Sequence, residues 1–210
     1  KNLNILQKIF IPTTKIIKIL SSKDIIDRLC NTKKLVTQIS KPIYIKKIKK
    51  VLKHYDAIST NPDLTKKYIL YPLHFEPEAS SLPIARKHSN QLLNIRIISS
   101  ALPKGWKLYV KDHPTQLNID TYNKLPFANQ SYGKYFAKYR NKDFYDYIKN
   151  TENVELIKIN IDQKTLVENA QIVTSISGSV ILEASYFNKP CIMFNEKTLF
   201  SMFNNTWVVK

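Results

Sequence analysis

A chain of 210 residues, 43% of them hydrophobic, can bury roughly 70% of its unfolded surface, enough for one solid core or one and a half small domains; its apolar runs fall far short of the ~20 residues of a membrane helix. The net charge of +17 favours anionic ligands, yet lysine carries nearly all of it, with arginine only at Arg28, Arg86, Arg96 and Arg140. Beside abundant Asn and Ile this is the profile of an AT-rich genome, and a reader of nucleic-acid sequence would use more arginine, so nucleic acid is not an expected partner.

Residues 1–60 form the first expected unit. They are lysine-rich, lack glycine up to residue 58, and carry Ile16, Ile17, Leu20, Ile25, Ile26 and Leu29 at helical intervals. Helices interrupted at Pro12 and Pro42 follow. The segment reads as a remnant of, or linker from, an N-terminal domain; a basic amphipathic surface for a membrane or protein partner is the alternative. Asn61, Pro62 and Asp63 make a turn and mark the boundary to a second unit, residues 61–210.

That second unit alternates. Strands are expected at 68–75, 107–111, 154–159, 171–175 and 191–194, and helices at 90–101, 144–150, 164–169 and 180–187. The strands are near-continuous apolar runs, the pattern of burial on both faces. Repeated βα units of this kind predict an α/β fold, a doubly wound parallel sheet. Cys30 and Cys191 match no metal spacing and suit a reducing cytoplasm. No secretory signal is visible, and the chain is expected to lack its true start.

Three strand exits carry chemistry. The first is His74-Phe75-Glu76-Pro77-Glu78, where a rigid loop holds two carboxylates near a histidine. Close carboxylates push one pKa upward, which suits acid–base work; acidic residues in the first turn of a helix are the alternative. The second is Lys111-Asp112-His113-Pro114, with lysine and histidine able to donate to a phosphate. A surface histidine without a ligand is equally compatible. The third runs from Thr174 through Ser175, Ile176, Ser177, Gly178 and Ser179 to Glu183. Hydroxyls and free amides at a helix start form an anion site, and Glu183 can accept from ribose hydroxyls. Ordinary capping by Ser177 or Ser179 is the alternative. The loop is neither a P-loop nor a dinucleotide fingerprint.

In this order, with Asn90-Gln91 between the first two and Glu183-Ala184 and Asn188-Lys189-Pro190 at the end, these motifs resemble the capsule polysaccharide biosynthesis glycosyltransferases. Those are Kdo-transferase-like and sialyltransferase-like enzymes of the GT-B architecture. The resemblance covers about residues 61–196 and implies that this unit is the Rossmann-like, donor-binding half of such an enzyme. It implies that Lys111 and His113 hold the donor phosphate, that Ser175, Ser177, Gly178 and Ser179 cradle the nucleotide phosphate, and that Glu183 meets the ribose. Glu78 and His113 would be catalytic, with His74 and Glu76 as further site residues. Glu76 stands where the family usually has glutamine, and Ser-Gly-Ser replaces a more usual Gly-Thr.

The resemblance implies transfer of a sugar, a CMP-activated acidic sugar above all, onto a surface glycan or glycolipid, without metal or further cofactor. It places the enzyme in the cytoplasm, at the inner face of the membrane, with an anionic membrane surface or other capsule-assembly proteins as further partners. The closing helices of the domain are expected after Trp207 and lie beyond the chain. Two other readings stay open: a teichoic-acid-type polyol-phosphate transferase using a CDP donor, and an inactive subunit that binds polyanionic glycans.

Overall fold

The computed structural model describes residues 45–77, 85–120, 139–196 and 198–209. The expected helices before residue 45, and Glu78, lie outside the described residues. Ile45–Lys210 forms one compact unit, built on a parallel sheet of six strands in the order β3-β2-β1-β4-β5-β6. In chain order the elements are α1 (residues 45–58), β1 (Tyr68–Pro72), α2 (Gln91–Ser100), β2 (Lys107–Lys111), α3 (Lys142–Asn150), β3 (Val154–Ile157), α4 (Gln163–Asn169), β4 (Ile172–Ser175), α5 (Val180–Tyr186), β5 (Cys191–Met193) and β6 (Thr206–Val208).

The apolar runs become strands because both faces are covered. Along β1 alternate side chains point to opposite faces. Ile69 and Tyr71 join Ile48, Val51 and Tyr55 of α1, Ile95 and Ile98 of α2, and Tyr145 and Ile148 of α3. Tyr68 and Leu70 join Leu166 and Val167 of α4 and Val180, Ile181 and Ala184 of α5. A run with no polar position is what a two-faced core requires. Each fully buried large aliphatic side chain contributes roughly 1.5–3 kcal/mol. This is the doubly wound, Rossmann-like α/β arrangement that the repeated βα units predict.

Three helix starts are closed by side chains. Asn90 accepts from the amides of Leu92 and Leu93 ahead of α2, Asn141 from Phe144 ahead of α3, and Asp162 from Thr165 ahead of α4. Each satisfies backbone donors that a helix start leaves open. α5 differs: Ser179 at its N-cap makes no side-chain capping bond.

The strand order has one reversal. β1 pairs on one side with β2 and on the other with β4, so the chain leaves their carboxyl ends in diverging directions. In an open parallel sheet a crevice forms at that point. Strand β6, pairing parallel with β5 through Cys191↔Thr206 and Met193↔Val208, is the one element absent from the sequence expectation. Among the described residues, no helix is long and apolar enough to cross a membrane.

Candidate functional site

The strand exits meet at the reversal. Leu73 and His74 leave β1, Lys111 ends β2, and Ser175 ends β4; together with His113 and Glu183 they line a cleft of about 550 Å³. Ser177, Gly178 and Ser179 form its rim on the α5 side.

The β1 exit is held by surrogates for strand neighbours. Leu73 donates its amide to the Lys111 carbonyl at 2.8 Å. His74 donates its amide to Gln91 Oε1 at 2.8 Å, and Gln91 Nε2 donates back to the His74 carbonyl at 3.3 Å. Gln116 repeats the pattern two residues on, accepting from the Glu76 amide at 2.7 Å and donating to its carbonyl at 2.9 Å. Buried main-chain groups have to be paired, and here two buried glutamine side chains supply the partners.

Glu76 does not line the cleft, contrary to its expected place beside a catalytic partner. Its Oε2 accepts from Arg140 Nη1 at 2.5 Å, and it is buried. Arg140, fully buried, also donates through Nε to Asp112 Oδ2 at 3.2 Å and through Nη2 to the His74 carbonyl at 2.8 Å. Asp112 accepts in addition from the Tyr145 hydroxyl and, through Oδ1, from the His113 amide at 2.7 Å. The Tyr55 hydroxyl accepts from the Asp112 amide at 3.3 Å and donates to the Ile157 carbonyl at 2.5 Å. A buried guanidinium requires such partners, because desolvating it alone is expensive. The Glu76–Pro77 peptide bond is cis.

Two of the cleft-facing groups, Lys111 and Glu183, are less completely paired. Lys111 reaches Gln163 Oε1 only at 3.5 Å, the outer limit of a hydrogen bond. Burial pulls its pKa down, opposed by Asp162, Glu183 and Asp112. Glu183 keeps one buried carboxylate oxygen, Oε2, without a hydrogen-bond partner. Burial, then Asp162, pushes its pKa up, opposed by Lys111. His113 accepts at Nδ1 from the Thr115 amide at 3.2 Å, so its neutral form carries the proton on Nε2. Its ring meets Phe75 edge-on, with centroids 5.9 Å apart.

The β4–α5 loop is arranged differently from a phosphate-binding nest. The amides of Ile176 and Ser177 point at His74 Nε2, each at 3.3 Å, and the Gly178 amide donates to Ser175 Oγ at 2.9 Å. Three amides that the sequence offers to an anion are thus satisfied inside the protein. Glycine at 178 permits this close approach, because an added Cβ would stand 2.9 Å from Ser175 Oγ and 3.2 Å from His74 Cε1.

Of the expected site residues, the fold gathers His74, Lys111, His113, Ser175, Ser177, Gly178, Ser179 and Glu183 around one cleft and turns Glu76 away from it. Arg140, Gln91 and Gln116 have structural roles that the sequence reading did not assign. Arg140 has a detectable signal only in its rarity, as one of four arginines in a lysine-rich chain.

A doubly wound α/β domain with a polar cleft at its strand reversal is the class these observations define. The chain matches no protein-family model and no curated protein. Among solved structures it is similar to the beta Kdo 2,7 transferase of Thermosulfurimonas dismutans KpsC, with TM-score 0.44 and 15% identity over 80% of this chain and 46% of that one. The beta Kdo 2,4 transferase of the same protein gives 0.45 and 15%, over 80% and 50%. The UDP-GlcNAc 2-epimerase from Methanocaldococcus jannaschii gives 0.45 and 19%, over 79% and 40%. The chain spans half the length or less of these solved chains. At these values the chemistry of the site rests on its own residues.

Proposed function

We propose that this domain binds the nucleotide of an activated sugar in the cleft and serves a glycosyltransferase of surface polysaccharide synthesis. The observation that carries the reading is the gathering of Lys111, His113, the Ser177–Ser179 rim and the half-buried Glu183 at the reversal between β1 and β4. Ligands of open parallel sheets bind at such points.

In this reading the donor phosphates meet side chains more than loop amides. Lys111 supplies a charge in a partly desolvated wall, and His113 donates from Nε2. Both stabilise negative charge that grows on the leaving phosphate. The hydroxyls of Ser177 and Ser179 add donors at the rim. Glu183 accepts from ribose hydroxyls through the oxygen that lacks a protein partner. Glu78 acts as the acceptor-side carboxylate. The donor is a CMP-activated acidic sugar and the acceptor a surface glycan.

Calorimetric titration of the full chain with CMP, CDP and UDP tests this, joined to an assay of label transfer from a CMP-sugar. The expected result is CMP binding at least about tenfold tighter than UDP, with His113→Ala and Lys111→Ala each weakening it by about tenfold or more, the scale of one charge-assisted hydrogen bond. Selectivity for CDP and CDP-glycerol would reassign the protein to polyol-phosphate transfer. Binding of no nucleotide would overturn the reading.

A further inference from the structure

His74 lines the cleft, yet the residue is only 8% exposed and its ring bonds into the protein. Two backbone amides, those of Ile176 and Ser177, aim at Nε2 from 3.3 Å. An amide can only donate, so Nε2 has to present its lone pair and the ring proton has to sit on Nδ1. Ser175 Oγ lies 3.1 Å from Nε2 and accepts from the Gly178 amide. The ring sits at the exit of β1 and all its partners at the exit of β4. The histidine therefore bridges the two strands between which the cleft opens.

We infer that His74 is a positioning residue: as a neutral acceptor at Nε2 it sets the conformation of residues 175–178 and so the shape of the cleft wall. It acts through the loop rather than on a ligand. The main chain of His74 is itself fixed by Gln91 and Arg140. Gly178 completes the contact by allowing the loop to approach the ring.

The surroundings keep the ring neutral. Burial lowers its pKa to about 4, and the neighbouring His113 and Arg140 add to the effect. An unfolded histidine titrates near ~6.5. The folded value is depressed, so the stability contributed by the neutral ring is present above ~6.5 and is lost as pH falls through about 4. Protonation there would place an N–H donor against the Ile176 and Ser177 amides and release the loop.

The inference holds whatever the cleft binds, and its test uses no ligand. In the full chain, isotope labelling of the ring nitrogens of the four histidines, assigned through single His→Gln variants, reads tautomer and titration directly. His74 is expected to show protonated Nδ1 and bare Nε2, and to stay neutral down to about pH 5, where an ordinary histidine is charged by about 30 to 1. Hydrogen exchange of the Ile176 and Ser177 amides is expected to quicken at least about tenfold in His74→Ala while Leu70 in β1 is unchanged. In His74→Gln, whose Oε1 can stand where Nε2 stands, slow exchange is retained. A proton on Nε2, a midpoint near ~6.5, or unaltered loop exchange in His74→Ala would overturn the inference. Should His74→Ala fail to fold, the tautomer of the unaltered chain decides.

Discussion

The cluster around Arg140 and the cleft beside it are built from the same kinds of group, cations beside carboxylates, yet they are opposites in completeness. Arg140 places donors on Glu76, Asp112 and the His74 carbonyl, and Tyr145 closes the remaining valence of Asp112. Lys111 reaches one glutamine oxygen at 3.5 Å, and its neighbour Glu183 keeps an oxygen without a partner. Buried polar groups are ordinarily satisfied. A satisfied cluster holds strand exits in place, whereas an unsatisfied one has bonding capacity left for something outside the chain. The difference sets the Arg140 cluster apart from the candidate site at Lys111 and Glu183.

The sharpest way to break that comparison is Arg140→Met. It strands two buried carboxylates and is expected to cost about 3–5 kcal/mol, measured by denaturant unfolding; a loss below about 1 kcal/mol would mean that the cluster is not closed. Next in size is Gly178→Ala. The added methyl has to displace Ser175 Oγ or His74, at about 1–3 kcal/mol of overpacking, and amide exchange across residues 175–178 should rise with it. The smallest effect on stability belongs to Glu183→Gln, within about 0.5 kcal/mol at neutral pH, while nucleotide affinity falls. Its pH dependence sharpens the contrast further. The folded carboxyl holds its proton more tightly than the unfolded one, so its contribution is present at acid pH and lost as pH rises through the folded pKa. The Gln variant should lack that decline.

Most of the sheet was legible because burial on both faces writes itself as uninterrupted apolar sequence. β1, β2 and β4 could be placed to within a few residues from the runs at 68–75, 107–111 and 171–175. β6 could not: it is only three residues long, Thr206, Trp207 and Val208, shorter than the runs that mark β1 and β2. The cleft was legible as three polar strand exits, since a parallel sheet brings its carboxyl ends to one edge. What stayed hidden was pairing. Glu76 finds Arg140 at a separation of 64 residues and His74 finds Ser175 at 101; no local spacing encodes either. The sequence therefore put Glu76 with the chemistry, when its charge is consumed by a cation from another part of the chain.

The Arg140 cluster has a consequence for how such a chain can vary. Tyr55 on α1, Glu76 after β1, Asp112 after β2, and Arg140 and Tyr145 at α3 come from four places in the sequence, yet each satisfies another's bonding needs. Drift at any one of them leaves a dry, unmatched group in its neighbour, so tolerated histories are those in which two positions change together. Lysines on the outer face of α1, such as Lys46, Lys49 and Lys53, carry no such obligation. Coordinated substitution at positions 55, 76, 112, 140 and 145, against free exchange at 46, 49 and 53, is the inheritance pattern expected from this packing.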